Sequence, residues 1–268
     1  MPFDFSGKVV AVTGGGSGIG AACATAFHQA GADVTVFGRN EDRLRAVAEH
    51  LSGSDEAPSR IHYASLDVSD DDAAERAINA LVDRTGRVDC LVNSAADFVA
   101  AGLGATTAEW QRSLGVNVIG SARLTAIASA VMPAGSAVVN ISSISAHIAQ
   151  PDRWTYNTTK SAIVELTRCQ AMDLAARGIR VNTVSPGWIW TPEVEKAAGG
   201  DRAKWEPVWG DYHMLRRLGE ASEVASAVLF LCSSDASFIT ATELMVDGGY
   251  RSMGPEGLGA ASVFAGSS

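Results

Sequence analysis

The chain alternates short runs of apolar, often β-branched residues with longer amphipathic runs, and this alternation constrains its fold more than any other feature. Seven runs have the length and composition of strands: 8–13, 34–37, 61–66, 88–93, 137–142, 179–185 and 243–247. Uninterrupted apolar strands such as VVAV at 9–12 suit a sheet covered on both faces. The segments between most of them are long enough to be the helices of parallel crossovers. The sequence therefore predicts a doubly wound α/β fold, with helices on both faces of a seven-stranded parallel sheet.

No linker divides these elements, so we expect one domain over residues 1–252. A polar surface loop is predicted at 52–60, and a tail rich in Gly, Ala and Ser follows at 253–268. The segment 192–217, before the last long helix, is an unusual insertion that contains Trp205, Trp209, Tyr212 and His213. A connection so long and so aromatic is typical of a lid over a ligand site.

Charge and hydropathy exclude several classes of protein. Twenty-one basic against 30 acidic residues give a net charge of −9, which disfavours binding to nucleic acid or anionic lipid. The most apolar stretch, 126–141, is interrupted by polar residues, a proline and a glycine, and is too short for a membrane helix. The amino end carries Asp4 where a signal peptide has a basic run. We therefore expect a cytoplasmic protein with neither nucleic acid nor membrane as a partner.

Cysteine usage agrees with that compartment. The four cysteines stand singly in apolar segments, without the spacing of a metal site or the density of a disulfide framework: Cys23, Cys90, Cys169 and Cys232. None has a His or a Gly-rich turn beside it. We expect four reduced thiols, no metal site and no catalytic cysteine.

A glycine-rich segment, TGGGSGIG at 13–20, closes the first strand and opens the first helix. Glycines allow the backbone to turn tightly and to approach a pyrophosphate, and a helix amino terminus offers free N–H groups. Directly after the first strand of an α/β chain, this pattern predicts dinucleotide binding. The residues expected at the ligand are Thr13, Gly14, Gly16, Ser17, Gly18, Ile19 and Gly20.

The end of the second strand indicates which dinucleotide is bound. An acidic residue there would bind the adenosine ribose hydroxyls, whereas Gly38 leaves room and Arg39 can pair with a 2′-phosphate. NADP(H) is therefore favoured, with NAD(H) as the alternative if Arg39 is only a surface residue. Asp67 and Val68, after the third strand, are placed to meet the adenine, although Asp67 could equally cap the next helix.

Tyr156 and Lys160 are four residues apart on a predicted helix and therefore share a face. A nearby cation favours the phenolate, and so moves the phenol towards a pKa useful for proton transfer at neutral pH. Ser143 ends the fifth strand thirteen residues upstream, where its hydroxyl can bond a substrate carbonyl. Ser142 could serve instead, but alternation along a strand sends only one of the two hydroxyls toward the site, and spacing favours Ser143.

With these motifs the chain resembles the short-chain dehydrogenase/reductase family in its single-domain, Rossmann-type form, from about residue 5 to residue 250. The resemblance implies a catalytic tetrad of Asn117, Ser143, Tyr156 and Lys160, in which Asn117 bends its helix and holds a water that relays protons to Lys160. It also implies cofactor contacts from Asn93, Ala95, Pro186, Gly187, Ile189 and Thr191, the last two at the nicotinamide carboxamide, and a homotetramer. One departure is Ala96, which stands where the family usually has glycine.

The substrate is expected to be a small ketone or secondary alcohol of apolar or aromatic character, because five of the six tryptophans lie between 154 and 209 along the presumed site. The wall candidates are Phe98, His147, Gln150, Trp154, Trp188, Trp190, Trp205, Trp209, Tyr212 and His213. Some of the tryptophans could instead pack the lid onto the body. The two histidines are expected to be plain wall or surface groups.

Two other functions remain open at this level. A reductase of 3-oxoacyl groups on an acidic carrier protein would need a basic docking patch, for which the chain offers four lysines and the pair Arg216 and Arg217. A non-catalytic dinucleotide sensor would keep the fold but would have no use for Ser143, Tyr156 and Lys160 together.

Overall fold

The computed structural model describes residues 3–52, 60–254 and 257, in which strands and helices alternate. The first half contains β1 (Val9–Thr13), α1 (Gly18–Gln29), β2 (Asp33–Gly38), α2 (Glu41–Ser52), β3 (Ile61–Ser65), α3 (Asp71–Thr85), β4 (Cys90–Asn93), α4 (Thr107–Leu114) and α5 (Ser121–Ser129). The second half contains β5 (Ala137–Ile141), α6 (Trp154–Leu174), β6 (Arg180–Pro186), β7 (Ile189–Trp190), α7 (Pro192–Ala197), α8 (Arg202–Gly210), β8 (Gly219–Glu220), α9 (Ala221–Cys232) and β9 (Glu243–Val246).

Seven of the strands form one parallel sheet in the order β3-β2-β1-β4-β5-β6-β9. The order reverses beside β1, because β2 and β3 lie on one side of it and β4 on the other. In open α/β sheets a ligand cleft lies at such a reversal, outside the carboxyl ends of the strands. The predicted doubly wound fold and all seven predicted strands are confirmed.

Alternation along β1 explains how the sheet is covered on both faces. Val10 and Val12 pack into an apolar cluster with α1 and α9, whereas Val9 and Ala11 pack into a second cluster with α3 and α5. Because neighbouring residues of a strand point to opposite faces, a strand between two helical layers must be apolar at every position. This is the physical reason for the uninterrupted apolar runs in the sequence.

The segment 192–217 differs from the predicted long loop, because it folds into α7 and α8. Start signals for both helices are present in the sequence: Pro192 stands at the first helical position of α7, and Asp201 caps α8 by accepting from the Lys204 N–H. Gly199 and Gly200 join them with φ of +61° and +81°. The strands that flank the segment, β7 and β8, pair as a small parallel sheet that the sequence did not reveal.

Several predictions fall on the margins of the described chain. Of the predicted tail, residues 255–256 and 258–268 lie outside the described residues, as do residues 53–59 of the predicted surface loop. In the part of the chain that is described, no helix is both long and apolar enough to cross a membrane.

Candidate active site

The glycine-rich segment forms a tight turn at the carboxyl end of β1. Gly14 and Gly18 have positive φ values of +67° and +53°. A Cβ on Gly14 would lie 2.8 Å from the Ser94 carbonyl oxygen, and one on Gly20 would lie 2.3 Å from the Gly14 carbonyl oxygen. Side chains are therefore excluded at both positions, and the backbone is free to approach a ligand. The amino end of α1 follows directly, and its cap residue Ser17 makes no side-chain cap hydrogen bond with it.

A cavity of about 230 Å³ opens over this turn at the point where the strand order reverses. It is lined by Gly14, Gly16, Ser17, Gly38, Arg39, Asn40, Arg43, Leu44, Leu66, Asp67, Val68, Ala95, Ala96, Val116 and Glu193. Eight of the residues predicted to bind cofactor are in this list. The glycine cradle, the free helix terminus and the basic residues together fit a dinucleotide phosphate.

The segment after β6 brings the predicted nicotinamide end to the same turn. Gly187 lies so close to the chain after β9 that an added Cβ would be 2.9 Å from the Asp247 Cα. Ile189 is buried, and the Thr191 methyl group lies 3.4 Å from the position of a Cβ on Gly18. Thr191 therefore borders the glycine-rich turn.

Arg43 joins Arg39 at the cavity, and sequence reasoning missed it. It belongs to the first turns of α2, and its Cβ lies 3.2 Å from the position of a Cβ on Gly16. Neither guanidinium has an ion-pair partner within the described ranges. The missed signal was the helix start at Glu41, which turns the third residue of α2 back over the glycine turn.

Asp67 does not cap the next helix, because Asp70 does so by accepting from the Ala73 N–H. The Asp67 carboxylate instead accepts hydrogen bonds from the Ser69 hydroxyl (2.6 Å) and the Ser69 N–H (3.0 Å). These bonds, with a smaller contribution from the charge of Arg39, lower the pKa of Asp67. Asp67 is thus an ionised group at the edge of the cavity.

Thr13 and Asn93 lie behind the cavity wall and use their side chains within the protein. The Thr13 hydroxyl accepts from the Ser94 and Ala95 N–H groups, both at 3.0 Å. The Asn93 amide donates to the Asn140 side-chain oxygen at 2.8 Å, within the buried centre of the sheet. Thr13 therefore fixes the loop after β4 and Asn93 links β4 to β5, whereas the sequence-based expectation placed both at the cofactor itself.

Ser143, Tyr156 and Lys160 come together at the carboxyl end of β5. The Ser143 hydroxyl lies near the Tyr156 phenol and lowers its pKa. The Lys160 ammonium lies 5.6 Å from the centre of the Tyr156 ring and donates to the Ile141 carbonyl oxygen at 2.9 Å. Ser142 turns away, with its hydroxyl donating to the Lys160 carbonyl oxygen. Of the two candidate serines, Ser143 is the one that meets the tyrosine.

The pKa values in this group differ from the expectation that Lys160 brings the pKa of Tyr156 down. Burial raises the pKa of Tyr156, and this effect exceeds the lowering by the nearby Ser143 hydroxyl and by the charge of Arg153. Burial also lowers the pKa of Lys160 to about 8. At neutral pH the phenol therefore carries its proton, and the ammonium is charged in a poorly solvated place.

Asn117 lies in a π-helical turn, Gly115–Gly120, between α4 and α5. Its side-chain oxygen accepts from the Asp97 N–H at 2.7 Å, and its amide nitrogen donates to the Asp97 carbonyl oxygen and to the Thr159 hydroxyl. The helix is locally widened at Asn117. The side chain itself links the loop after β4 to α6, the helix that carries Tyr156 and Lys160.

Phe98 and Arg153 form the wall next to Tyr156. The Phe98 ring meets the Tyr156 ring edge-on with 4.6 Å between centroids, and about half of its surface is exposed. The Arg153 guanidinium carbon lies 4.5 Å above the centre of the Phe98 ring. Sequence analysis did not single out Arg153, because its neighbourhood to Phe98 depends on how the loops after β4 and β5 meet.

Three other predicted wall residues are engaged elsewhere or face solvent. His147 Nε2 is 2.7 Å from a carboxylate oxygen of Glu243 on the edge strand β9. The Gln150 side-chain oxygen accepts from the Ser145 hydroxyl at 2.8 Å and so braces the turn after β5. Trp154 is about half exposed.

Three tryptophans stack on one another, two of them in the segment 192–217 and one just before it: Trp205, Trp209 and Trp188. Ring centroids are 5.0 Å apart for Trp188 and Trp209, and 4.9 Å apart for Trp205 and Trp209. Trp209 is only 9% exposed and forms a small apolar cluster with Ala198 and Leu218. The expectation that Trp209 faces the substrate is therefore corrected: it is the centre of the lid's own core.

His213 is buried beneath the lid and holds it to the segment after β6. Its Nδ1 lies 3.1 Å from the Trp209 carbonyl oxygen, and its Nε2 accepts from the Trp188 N–H at 3.2 Å. This pair of bonds requires the neutral ring, with the proton on Nδ1. Burial is the main cause that lowers the pKa of His213, which favours that form.

A family model described as "Enoyl-(Acyl carrier protein) reductase" matches residues 14–251. The chain belongs to the short-chain dehydrogenase/reductase family. An L-fucose dehydrogenase of Bos taurus is 35% identical over 250 residues, which cover 91% of this chain and 90% of that protein. An uncharacterized oxidoreductase of Mycobacterium tuberculosis is 36% identical, over 92% of this chain and 93% of its own. The crystal structure of a short-chain dehydrogenase/reductase, glucose/ribitol dehydrogenase, from Brucella melitensis superposes with a TM-score of 0.86 at 33% identity, covering 93% of this chain and 99% of that one.

Short-chain dehydrogenase/reductases are oxidoreductases that use NAD(H) or NADP(H), and the chain is an enzyme of this class. The glycine cradle and the cavity above it fit such a cofactor, because the positions that a pyrophosphate must approach are those where no Cβ could stand.

Proposed function

We propose that this protein interconverts a ketone and a secondary alcohol with a nicotinamide cofactor, NADP(H) being preferred and NAD(H) possible. The observation that carries the proposal is the grouping of Ser143, Tyr156 and Lys160 at the carboxyl end of β5, on the same side of the sheet as the glycine-rich cavity. When bound, the cofactor supplies the hydride for reduction or accepts it in oxidation.

Four side chains supply proton transfer, charge stabilisation and positioning: Tyr156, Ser143, Lys160 and Asn117. The Tyr156 hydroxyl gives its proton to the carbonyl oxygen in reduction, and the phenolate takes a proton from the alcohol in oxidation. The Ser143 hydroxyl donates to the same oxygen while negative charge develops on it. The Lys160 charge favours the phenolate and is available to the nicotinamide ribose. Asn117 positions α6, and we retain the proposal of a water held near it that relays protons to Lys160.

Support for NADP(H) comes from the open space at Gly38 and from two cations at the adenosine end of the cavity. Arg39 and Arg43 both line it and have no carboxylate partner within the described ranges. A 2′-phosphate is a dianion that an arginine binds through two parallel hydrogen bonds.

On the substrate side, the exposed face of Phe98 beside Tyr156 supports an apolar or aromatic ketone. Because Trp209 is buried, the stacked tryptophans support an apolar substrate only through the surface that Trp188 and Trp205 leave exposed. A sugar or sugar alcohol is a second candidate substrate, because relatives are named L-fucose dehydrogenase and a similar structure is named glucose/ribitol dehydrogenase. The 3-oxoacyl carrier-protein reductase is a third, in keeping with the description of the matching family model.

We further propose that residues 1–252 act as one catalytic domain with 192–217 as its substrate lid, and that the enzyme is a cytoplasmic homotetramer. The cytoplasmic location is supported by four cysteines that are all unpaired. The tetramer follows from the family and from apolar side chains exposed on α6 and the π-helical turn before α5. Neither nucleic acid nor membrane is proposed as a partner.

The proposal is tested by a panel of aryl ketones, bicyclic ketones, steroids, acyl thioesters and sugars such as L-fucose, each assayed with NADP(H) and NAD(H). We expect turnover of at least one ketone or its alcohol. Activity confined to acyl thioesters would favour the carrier-protein reductase, and activity confined to sugars would favour a sugar or sugar-alcohol dehydrogenase. No turnover of any compound with either cofactor would contradict the enzyme proposal.

A further inference from the structure

Arg153 is a cation beside the candidate proton donor, and its only contact of note in the described residues is with the Phe98 ring. It precedes α6, and its guanidinium lies over the Phe98 ring at 4.5 Å. Within the described ranges it makes no ion pair and no side-chain hydrogen bond. The nearby carboxylates are directed elsewhere: Asp97 pairs with Arg112, and the Asp152 carboxylate lies against Gly102, 2.7 Å from the position of a Cβ there.

The backbone just before Arg153 adopts a left-handed conformation. Asp152 has a φ of +53°, a conformation that costs a non-glycine residue on the order of 1 kcal/mol. Strain of this kind is retained where the surroundings determine the conformation, and it clusters at functional sites. Here it separates the Asp152 carboxylate, which faces Gly102, from the Arg153 guanidinium, which faces Phe98.

The Phe98 ring contacts both the Tyr156 phenol and the Arg153 guanidinium, with 4.6 Å between the two ring centroids and 4.5 Å from the Phe98 centroid to the guanidinium carbon. A carbonyl that reaches the Tyr156 hydroxyl places the next part of its molecule along the exposed face of Phe98. The part beyond that reaches the guanidinium, whose fork of N–H donors matches a carboxylate.

We infer that Arg153 selects anionic substrates, namely ketones or secondary alcohols whose carboxylate is separated from the reacting carbon by a spacer of about one aromatic ring. This inference rests on the proposed ketone chemistry and names the substrate class for it. The net charge of −9 means that the protein as a whole repels anions. An anionic substrate therefore needs a local cation in the site, and Arg153 supplies one.

Arg153 also has an electrostatic effect on the catalytic group. Its charge lowers the pKa of Tyr156, against the larger raising effect of burial. Replacing Arg153 with a neutral residue should therefore move the pH of half-maximal alcohol oxidation upward, whichever alcohol is oxidised. A residue that only packed against Phe98 would not have this effect.

The test compares 4-acetylbenzoate with 4-acetylbenzamide, which differ in charge but hardly in size, for the wild type, R153Q and R153K. R168Q is the matched control, because Arg168 lies on the surface of the same helix and pairs with Glu165. We expect the wild type to prefer the acid in kcat/KM by roughly tenfold or more, and R153Q to lose about 10- to 100-fold with the acid while changing the amide little. R153K should keep part of the preference, and R168Q should keep all of it.

Benzoate extends the test to any ketone that the enzyme reduces. It should inhibit the wild type competitively against that ketone, and its inhibition constant should rise at least tenfold in R153Q. Equal use of acid and amide with no benzoate inhibition would overturn the inference and leave the ketone proposal intact. A preference for neutral sugars over the acid would also overturn it, and failure to reduce any ketone would remove the proposed function on which it rests.

Discussion

At the scale of single residues, three positions line the part of the cavity where we propose that the adenosine binds: Gly38, Arg39 and Arg43. A Cβ on Gly38 would make only an ordinary contact of 3.5 Å with Leu44, so an aspartate can be introduced there without a backbone clash. We expect Gly38→Asp to shift preference toward NAD(H), because a carboxylate repels a 2′-phosphate and accepts from the ribose hydroxyls. Arg39→Ser should lower kcat/KM for NADP(H) by about 10- to 100-fold, and Arg43→Ser by a smaller factor.

The measurement is the ratio of kcat/KM values for the two cofactors, together with their dissociation constants. Arg45→Ser is the control, since Arg45 lies on α2 like Arg43 but pairs with Asp42. A wild type that uses NAD(H) as well as NADP(H) would make Arg39 an ordinary surface residue.

Lys160 predicts a pH dependence of stability that differs from that of a surface lysine. It is 4% exposed, and burial lowers its pKa from 10.5 to about 8. Below pH 8 it is charged in both the folded and the unfolded protein, and keeping the charge buried costs on the order of 3 kcal/mol. Between pH 8 and 10.5 the unfolded chain binds more protons than the folded one, so this cost disappears as pH rises.

The wild type should therefore gain free energy of unfolding relative to Lys160→Met as pH increases from 8 to 10.5. Denaturant unfolding of both proteins across this range measures the difference. Lys196→Met, at an exposed lysine, should run parallel to the wild type. A constant difference between wild type and Lys160→Met would show that Lys160 titrates normally.

The sequence identified residues of the site wherever local spacing decides their position. Tyr156 and Lys160 share a face because they are one helical turn apart, and Gly14 and Gly20 are required by a turn that is complete within eight residues. Arg43 and Arg153 were missed, because their neighbours Gly16 and Phe98 come from other loops. The raised pKa of Tyr156 was missed for a related reason, since burial depends on the whole fold.

At the scale of elements, the lid depends on Trp209. Its ring stacks on Trp188 and Trp205 and is 9% exposed, so Trp209→Ala removes the centre of a small core. We expect a loss of several kcal/mol in local stability, in the range of about 3–5 for such truncations. Because the lid as a whole is then loosened, kcat/KM should fall by similar factors for small and bulky ketones.

Melting temperature, limited proteolysis of 192–217 and kinetics with a graded series of ketones measure these effects. Trp154→Ala, at a half-exposed tryptophan outside the cluster, should leave stability nearly unchanged. A selective loss with bulky ketones alone would mean that Trp209 contacts the substrate after all.

Central strands such as β1 and β4 could be predicted because a strand between two helical layers is a continuous apolar run. β7 and β8 could not, since each has two residues and they pair across the entire lid. The lid was predicted as a loop because its aromatic residues do not follow a helical period; they serve a core that forms only after α7 and α8 meet.

At the scale of the whole molecule, we predict a homotetramer. Met172 on α6 is 79% exposed and Ile119 in the π-helical turn is 53% exposed, which leaves apolar surface that a second copy would cover. Met172→Glu should shift light-scattering mass toward smaller species at micromolar concentration. Tyr63→Glu, on the opposite edge strand β3, should not; a wild type that is monomeric at this concentration would contradict the prediction.

The central claim is that the Tyr156 hydroxyl transfers the proton while the backbone cradle holds the cofactor. The direct test is the single-turnover rate of Tyr156→Phe with saturating cofactor and a ketone that the wild type reduces, alongside the dissociation constant of the cofactor. The account predicts a rate lower by at least about 10²-fold, because general acid catalysis is lost, with cofactor affinity nearly unchanged and Tyr63→Phe fully active. A Tyr156→Phe enzyme that reduces the ketone at close to the wild-type rate would contradict it.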